Sequence, residues 1–418
     1  MLIKAPRGTK DIFKPDSYMW QDIESTIREV SECFGVSEIR TPIFEQTELF
    51  LRSVGEETDI VNKEMYTFLD KGDRSLTLRP EGTAGVVRAF VEHKLYSDAQ
   101  PTKFYYINST FRYERPQAGR MREFNQYGVE VFGSYSPMCD AEVISLAHEV
   151  LKKLGINNVE LRINSMGNSE SRTAYSDALK EYLQENLDAL CENCKTRYEK
   201  NPLRVLDCKS DGCKDVVSNA QSILDFLTDE CKEHFYTVKQ ILDSMQIPYI
   251  VDPKIVRGLD YYTGIVFEFI STDIGAQSAV CGGGRYDNLV EEFGGPKVGA
   301  VGFAMGMERL ILTLLNQKGE YHHKPKRDIF IGSIGEKGLL KSQQLVFELR
   351  KKGVLAESDT VGRSVKSQLK YADKIGAVYS VILGDEEVES GKANIKDMQE
   401  GTITEMNLNE ISKSLFLK

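Results

Sequence analysis

The sequence lacks any segment that could cross a membrane or direct secretion. Residues 1–13 contain no apolar stretch of the signal-peptide type, and no hydrophobic run approaches the roughly 20 residues of a transmembrane helix. An excess of basic residues is also absent, since Lys and Arg number 53 against 63 Asp and Glu, giving a formal net charge of −10. This balance excludes a generic polycation, although local basic surface could still bind nucleic acid. We expect a cytoplasmic protein that does not contact membranes.

Common cofactor signatures are missing as well. The chain contains neither the Gly-x-x-x-x-Gly-Lys-Ser/Thr pattern of a P-loop nor the Gly-x-Gly-x-x-Gly pattern of dinucleotide-binding folds. His93, His148 and His234 have no partner at a metal-binding spacing, so we interpret them as structural. Internal repeats and low-complexity segments are not found.

The eight cysteines do not form the dense framework of a disulfide scaffold. One group is clustered: Cys191-x-x-Cys194 is followed, after thirteen residues, by Cys208-x-x-x-x-Cys213. Two close pairs of thiols could hold a tetrahedral zinc ion, but the second spacing is looser than usual and ordinary intracellular thiols are commoner. From the spacing alone we assign no metal site.

The length of 418 residues predicts two or three domains, and 41% apolar with 28% charged residues is ordinary for a globular protein. A shift to Lys, Glu, Asp and Cys with a helical pattern indicates a helical insertion at about 170–248. Residues 322–327 read as a linker, after which strands and helices alternate. We therefore place one domain at 1–323 and a small separate α/β domain at 327–418.

Within the first domain, a helix is predicted to begin at Pro15-Asp16, and residues 38–44 read as a strand. Pro42 lies inside that strand, which favours an edge that could lie at a subunit interface. A short strand at 75–79 precedes a helix at 84–95. Two further β-rich runs, at 103–113 and 123–132, are joined by a basic loop and predict a long antiparallel hairpin.

Side chains on a strand alternate between its faces. One face of the second hairpin strand therefore carries a ring, an amide, a glycine and a carboxylate: Phe124, Gln126, Gly128 and Glu130. The opposite face carries Asn125, Tyr127, Val129 and Val131, and the first strand presents Thr110, Arg112 and Glu114 together. A sheet with one solvated side would give the same alternation. The arginine, the glycine gap and the basic loop favour a binding site.

Three other segments carry site-like features. Glu81 and Thr83 stand at a helix start, where both could equally be capping residues. Three glycines at 282–284 would let a backbone approach a ligand closely, or could simply form a tight turn. Arg309 lies in the first turn of a helix, where cations are mildly disfavoured, which favours a nearby anionic ligand over an ordinary surface arginine.

The segment 257–268 places Arg257, Tyr261 and Tyr262 on a turn before an apolar β-type run. An arginine is always charged and favours an anionic partner. Paired phenol rings supply flat apolar area with polar tips. We expect this segment to line a pocket for a flat, anionic ligand.

Together these segments resemble bacterial histidyl-tRNA synthetase, a class II aminoacyl-tRNA synthetase, over essentially the whole chain. The resemblance rests on residues 7–11, 111–114, 257–262 and 302–309. The second and fourth segments are widely shared class II motifs, whereas the third is specific to the histidyl branch and its paralogues. The family resemblance implies an α+β fold: an antiparallel-sheet catalytic domain with a helical insertion, a C-terminal α/β anticodon-binding domain, and a homodimer formed through the Pro42 region.

The resemblance also implies a role for each matching residue. The catalytic arginines would be Arg112 and Arg309, which hold the ATP phosphates, and Arg257, which contacts the histidine carboxylate and the α-phosphate. Phe124 would stack on adenine, and Glu114 would hold the adenine or ATP. The histidine site would be formed by Glu81, Thr83, Gln126, Glu130, Tyr261, Tyr262 and Tyr286. The loop residues Gln117, Arg120 and Arg122 are candidates for contact with the tRNA acceptor end.

The implied function is the ATP- and Mg²⁺-dependent ligation of L-histidine to its tRNA for protein biosynthesis. Synthesis of histidyl-adenylate precedes transfer to the 3′-terminal adenosine. The alternative is the catalytically silent paralogue that regulates ATP phosphoribosyltransferase in histidine biosynthesis. That paralogue typically lacks the C-terminal domain and parts of the arginine set, and a synthetase-like binding module would lack the arginines. Here Arg112, Arg257, Arg309 and residues 328–418 are all present.

Overall fold

The computed structural model describes residues 2–55, 58, 60–206, 208, 210–257, 259, 261–274, 279–319 and 327–411. Two compact units divide the chain, Met1–Tyr321 and His322–Lys418. Most of the predicted linker, residues 322–326, lies outside the described residues, as do Gly258 and Asp260. Among the helices of the described ranges, none is long and apolar enough to cross a membrane.

Strands and helices of the first unit follow one another along the chain. The strands are β1 Ser37–Glu38, β2 Phe44–Gln46, β3 Tyr66–Leu69, β4 Ser75–Leu78, β5 Thr102–Phe111, β6 Glu123–Phe132, β7 Glu160–Ser165, β8 Ile250–Val251, β9 Thr263–Ile270, β10 Ala279–Arg285 and β11 Ala300–Gly306. The helices are α1 Asp16–Cys33, α2 Thr47–Val54, α3 Thr83–Glu92, α4 Pro137–Lys153, α5 Ser169–Glu185, α6 Glu192–Lys200, α7 Asp211–Ser218, α8 Asp229–Ser244, α9 Leu289–Glu292 and α10 Met307–Lys318.

An eight-stranded sheet in the order β1-β5-β6-β11-β10-β9-β7-β8 is the centre of this unit. Its pairs are antiparallel except for the short outer pairs β1–β5 and β7–β8. The predicted α+β class and the β5–β6 hairpin are confirmed. The alternation on β6 is also as predicted, because Tyr127, Val129 and Val131 enter the main apolar core with α1, α4 and α8.

The predicted strand at 38–44 is wrong. Glu38 ends β1, Phe44 begins β2, and Pro42 lies between them, outside any strand. The physical reason is Arg79, a buried side chain that takes up the backbone carbonyls of this stretch. Its Nη1 donates to Thr41 O at 2.9 Å and Pro42 O at 3.2 Å, so these carbonyls bond to a side chain and not to a neighbouring strand. The strand β2 instead joins a separate three-stranded sheet, β2-β4-β3.

Helices fill residues 169–244, as the composition predicted, but they do not all pack alike. Phe235, Val238 and Leu242 of α8 belong to the main core beneath the sheet. Tyr175, Leu179 and Leu183 of α5 belong to a second cluster with α6, α7 and residues of the opposite sheet face. The helical segment that packs mainly in the second cluster therefore spans 169–227.

The second unit is an α/β domain with a five-stranded sheet in the order β13-β12-β14-β15-β16. Its strands are β12 Arg327–Ser333, β13 Ala356–Ser358, β14 Ala377–Leu383, β15 Lys392–Asp397 and β16 Ile403–Asn407, and its helices are α11 Gly335–Lys351, α12 Val365–Lys374 and α13 Asp385–Ser390. The parallel pairs β12–β13 and β12–β14 and the final antiparallel hairpin match the predicted alternation, whereas α13 was not predicted.

A buried ion-pair network joins α4 to the central sheet. The Arg285 side chain is 4% exposed and approaches Oδ1 of the fully buried Asp140 to 2.9 Å. Asp140 also lies 2.6 Å from His234 Nε2, and Arg285 donates to Asp287 at 2.9 Å. His234 is therefore held in a structural contact, as predicted.

We expect Asp140→Asn to destabilise the first unit by about 3–5 kcal/mol, because it leaves a buried guanidinium without its main counter-charge. Urea unfolding followed by circular dichroism measures the change. Asp229→Asn is the matched control, since that side chain is fully exposed in its pair with Lys232 and should cost less than about 1 kcal/mol. Equal effects of the two substitutions would contradict the assignment.

Candidate active site

A cavity of ≈ 290 Å³ opens on the face of the central sheet that carries Gln126 and Glu130. The hairpin β5–β6, the turn before β9, the strands β10 and β11 and the first turns of α3 and α10 form its walls. Polar side chains from distant parts of the chain converge here, which is the arrangement expected of a ligand site.

Glu130 is the most buried acid of the cavity, at 1% exposure. Three hydroxyl groups donate to its carboxylate: Thr83 Oγ1 at 2.7 Å, Tyr106 OH at 3.2 Å and Tyr286 OH. Burial raises the pKa of Glu130 to about 8, because the loss of hydration outweighs the hydroxyl groups that favour the charged form. The three hydroxyl groups hold the carboxyl group in one position, and its pKa lies well above that of an exposed glutamate.

Two glycines make room for this carboxyl network. A Cβ on Gly128 would lie 2.2 Å from the Tyr106 ring, and a Cβ on Gly302 would lie 2.1 Å from Glu130 Oε2. The gap at Gly128 was predicted to leave space for a ligand. It is filled by Tyr106, whose backbone pairs with Gly128 across the hairpin.

Glu81 serves as a helix cap and as a cavity wall. Its two carboxylate oxygens accept from the backbone N–H groups of Thr83 at 2.6 Å and Ala84 at 2.8 Å, in the first turn of α3. The side chain is nevertheless part of the cavity lining, and burial raises its pKa. The capping interpretation is therefore confirmed for Glu81, whereas the Thr83 hydroxyl donates to Glu130 and its binding role stays a prediction.

Arg257 lies between the tyrosines and the glycine-rich strand. It forms an ion pair with Glu268, and its guanidinium carbon is 5.6 Å from the centre of the Tyr262 ring. A Cβ on Gly282 would lie 2.3 Å from its Nη1, so this glycine makes room for the arginine, and it also lines the cavity. The buried Nε of Arg257 has no hydrogen-bond partner within the described chain, and neither has Gln126 Oε1.

The aromatic wall continues from Tyr262. The Tyr261 ring centre is 4.6 Å from that of Tyr262 and 5.5 Å from that of Tyr286. All three rings are buried. The predicted tyrosine wall is therefore continuous with the carboxyl network through Tyr286.

At the other end of the cavity, guanidinium groups outnumber their acid partners. Arg112 and Arg120 both face Glu114, at 3.8 Å and 3.2 Å. Arg309 donates only to backbone carbonyls, Gly119 O at 3.3 Å and Ala279 O at 2.7 Å, and no described carboxylate lies within ion-pairing distance of it. Burial and the charges of Arg120 and Arg112 lower the pKa of Arg309. This end of the cavity is suited to a polyanion.

All the residues predicted for ATP and histidine line this one cavity: Glu81, Thr83, Arg112, Glu114, Phe124, Gln126, Glu130, Arg257, Tyr261, Tyr262, Tyr286 and Arg309. The tRNA candidates are divided. Arg120 lines the cavity, and Gln117 is exposed on the loop. Arg122 lies outside the lining, with its guanidinium 3.8 Å from the Tyr113 ring centre and its backbone amide bonded to Gly8 O.

Among the lining residues with acidic or phenolic side chains, three received no role from the sequence: Tyr106, Glu268 and Glu308. Tyr106 follows two other aromatic residues in a β-type run, so the sequence does not show which of these rings faces the cavity. Glu308 accepts from Asn125 N at 2.9 Å and so connects α10 to β6. Glu268 lies on β9 opposite Gly282, within the segment that first indicated a pocket. Glu268 lies between Phe267 and Phe269, and this alternation could have shown that its carboxylate faces the side of the sheet opposite to the two rings.

Comparisons with known proteins agree over both units. The family described as Histidyl-tRNA synthetase matches residues 8–310, and the Anticodon binding domain family matches residues 328–415. Proteins named histidine–tRNA ligase from Thermoanaerobacter pseudethanolicus and Acetivibrio thermocellus are 56% and 51% identical to this chain. The first match spans 416 residues, or 99% of each chain, and the second covers 99% of this chain and 100% of the relative.

Solved structures show the same likeness. The apo histidyl-tRNA synthetase of S. aureus is 38% identical with a TM-score of 0.85, over 99% of this chain and 100% of that one. A Bacillus halodurans protein described as an ATP phosphoribosyltransferase regulatory subunit/histidyl-tRNA synthetase is 20% identical with a TM-score of 0.68, over 92% and 98%, which shows the shared fold alone. The chain belongs to the histidyl-tRNA synthetase family.

Proposed function

We propose that this chain ligates L-histidine to its cognate tRNA in two steps, with ATP converted to AMP and pyrophosphate. Relatives that are 56% identical over the whole chain bear the name histidine–tRNA ligase, which supports the ligase and not the regulatory paralogue. The observation that carries the proposal is the division of one cavity into a cationic end and a hydrogen-bonding end. The first suits a triphosphate, and the second suits a small polar side chain.

In the first step, a carboxylate oxygen of histidine attacks the α-phosphorus of ATP. The bond from that phosphorus to the bridging oxygen breaks, and pyrophosphate leaves with the electron pair. Because both reactants are anions, the reaction needs charge neutralisation and alignment more than a protein nucleophile. Arg257 would bridge the carboxylate and the α-phosphate, while Arg112 and Arg309 would hold the remaining phosphates.

Histidine recognition is assigned to the Glu130 end. The carboxyl group and the Gln126 amide would bind the imidazole ring and the amino group, with Glu81 and Thr83 alongside. Tyr261, Tyr262 and Tyr286 would enclose the ring. A buried site that hydrogen-bonds its substrate rejects analogues that lack the matching group, because its own polar atoms would then be unpaired.

Adenine is assigned to the space beside Phe124. The Arg112 guanidinium carbon lies 5.4 Å from the centre of the Phe124 ring, so an arginine already faces this aromatic surface. Glu114 would orient the adenine or the ATP. Its side chain is 11% exposed and faces only arginines among the described ion pairs.

The carboxylates of the cavity also fit the Mg²⁺ that class II synthetases generally need with ATP. Magnesium is usually bound by one or two carboxylates together with substrate phosphates. Glu114 and Glu268 provide two partly accessible carboxylates, and in the described ion pairs each is paired only with arginines of the cavity. When bound, the ion would neutralise phosphate charge.

In the second step, a hydroxyl of the tRNA 3′-terminal adenosine attacks the histidyl carbonyl carbon, and AMP leaves. Gln117 and Arg120 remain candidates for the acceptor end, since they lie on the loop that borders the cavity. Arg122 is better placed to brace that loop, because it packs on Tyr113 and Gly8. The C-terminal unit would bind the anticodon, in keeping with its family match.

We further propose a homodimer in the cytoplasm, where the tRNA partner is found. The three-stranded sheet near Pro42 leaves large apolar side chains exposed, namely Ile43, Phe44, Phe68 and Leu69 at 44–65%. Burial of such a patch against a second copy would remove apolar surface from water. This supports the interface that the family resemblance implied.

Amino-acid-dependent ATP–pyrophosphate exchange tests the function directly. With each of the twenty amino acids supplied separately, we expect exchange with histidine alone, because only imidazole matches the Glu130 end. Transfer to histidine tRNA should follow in a charging assay. A complete lack of exchange would leave the regulatory paralogue as the better account.

The role of Arg257 is tested by Arg257→Ala. We expect histidine-dependent exchange to fall at least about 100-fold, because the group that bridges two anions is lost. Arg162→Ala is the control: Arg162 is also paired with two acids, Glu160 and Asp252, but lies outside the cavity lining. Near-normal exchange by a folded Arg257→Ala protein would remove this arginine from the catalytic set.

The protonation of Glu130 predicts a pH dependence of stability. The folded pKa of about 8 lies above that of an ordinary glutamate, so the folded state keeps a proton that the unfolded chain releases. We expect the free energy of unfolding of the wild type, relative to Glu130→Gln, to fall by a few kcal/mol between about pH 4.5 and 8. Urea unfolding across this range measures the difference.

The exposed Glu181 provides the matched substitution, Glu181→Gln. Its stability should run parallel to that of the wild type at every pH. If Glu130→Gln also ran parallel to the wild type, the raised pKa of Glu130 would be disproved.

A further inference from the structure

Four cysteines meet in the helical segment 169–227, and none of them lines the active-site cavity. Cys191 precedes α6 and Cys194 lies in its first turn, whereas Cys208 precedes α7 and Cys213 lies in its first turn. Their Sγ atoms all lie within 4.8 Å of one another, and those of Cys191 and Cys208 are 3.8 Å apart. Two segments separated along the chain thus bring four sulfurs to one point.

We propose that these four thiolates bind a structural zinc ion. Zinc binds thiolate sulfur at about 2.3 Å in a tetrahedron, which places neighbouring sulfurs about 3.8 Å apart. The measured Cys191–Cys208 separation equals that value, and the upper limit of 4.8 Å for the other pairs needs only small side-chain adjustments. Among the residues that the structure describes, this is the one group of three or more potential metal ligands.

The backbone around the sulfurs is arranged to support thiolate charge. The N–H of Cys191 donates to Cys213 Sγ at 3.2 Å, which joins the two cysteine pairs directly. The N–H of Cys194 donates to Cys191 O at 2.8 Å and closes the turn that directs both sulfurs of the first pair to the same side. Hydrogen bonds to the ligand atoms are a regular feature of metal sites, because they orient the ligands.

Burial indicates a structural site and not a catalytic one. Cys194 and Cys213 are 0% exposed, and Cys191 and Cys208 are partly buried. Four protein sulfurs would complete the tetrahedron and leave no position for water or substrate, as in closed zinc sites. Four thiolates form a soft ligand set, which suits zinc, a metal without redox chemistry. Iron also accepts four thiolates.

The proposed ion would stabilise the local fold. The segment consists of short pieces, with nine residues in α6, four in the 3₁₀ turn Pro202–Val205 and eight in α7. Helices of this length are not stable alone in water. An ion bound at the starts of α6 and α7 would hold these short helices against α5. Tyr182 of α5 already contacts α7, because its OH donates to Val216 O at 2.8 Å.

The test is the metal content of the purified full-length chain, measured by plasma mass spectrometry after dialysis without chelator. We expect about one zinc per chain. Cys194→Ser and Cys213→Ser should each lose the metal, while Cys231→Ser should keep it. Cys231 lies on α8 in the same unit and is not part of the cluster, so it controls for the loss of any cysteine.

A measurement on the wild type covers the case in which the serine variants do not fold. Stepwise modification of the thiols with an organic mercurial should release zinc as the cluster cysteines react, and a dye reports its release. Three results would overturn the proposal: no bound metal with the thiols free, no metal with the four thiols oxidised to two disulfides, or stoichiometric iron in place of zinc.

Discussion

The pairing of β5 with β6 is the constraint on which the site depends. Its register sets Tyr106 opposite Gly128, and the missing Cβ there lets the phenol reach Glu130 two residues along the same face. A shift of one residue would turn Glu130 into the main core and expose Val129 to the cavity. The buried face of β6, with Tyr127, Val129 and Val131, therefore positions the functional face by fixing the register.

A second constraint is electrostatic. Arginines that bind phosphates need partners that stabilise their buried charge before any phosphate is bound. In this cavity, those partners neutralise the guanidinium charge only in part. Arg257 has Glu268, and Arg112 and Arg120 share Glu114, whereas Arg309 has only backbone carbonyls. These partners keep the guanidinium groups in place without fully neutralising them, so net positive charge remains for a polyanion.

The sequence could predict the elements whose information is local. The hairpin strands and the face shared by Gln126 and Glu130 follow from period-two alternation, and α1 follows from its proline start and apolar spacing. Features that depend on distant residues could not be predicted in this way. Pro42 was placed in a strand because nothing near it shows that Arg79, some 37 residues later, binds its carbonyl. Likewise, the glycines at 128 and 282 indicated space, but only the fold shows that Tyr106 and Arg257 fill it.

The two ends of the cavity differ in how complete they are, and this difference bears on how an enzyme of this kind would discriminate. Around Glu130, three hydroxyl groups fix the position of the carboxyl group before a ligand binds, while the buried Gln126 amide oxygen has no partner among the described residues. Around Arg309 the charge is unbalanced, and binding would rest on long-range attraction that any polyphosphate could satisfy. Selectivity for the amino acid would therefore reside in fixed hydrogen bonds. Binding of the nucleotide would rest on charge. Stacking on Phe124 would be the main way in which this end of the cavity distinguishes a nucleotide from a polyphosphate without a base. Arg257 stands between these two regions and contacts both: its ion pair with Glu268 belongs to the charged end, and its contact with Tyr262 belongs to the histidine wall.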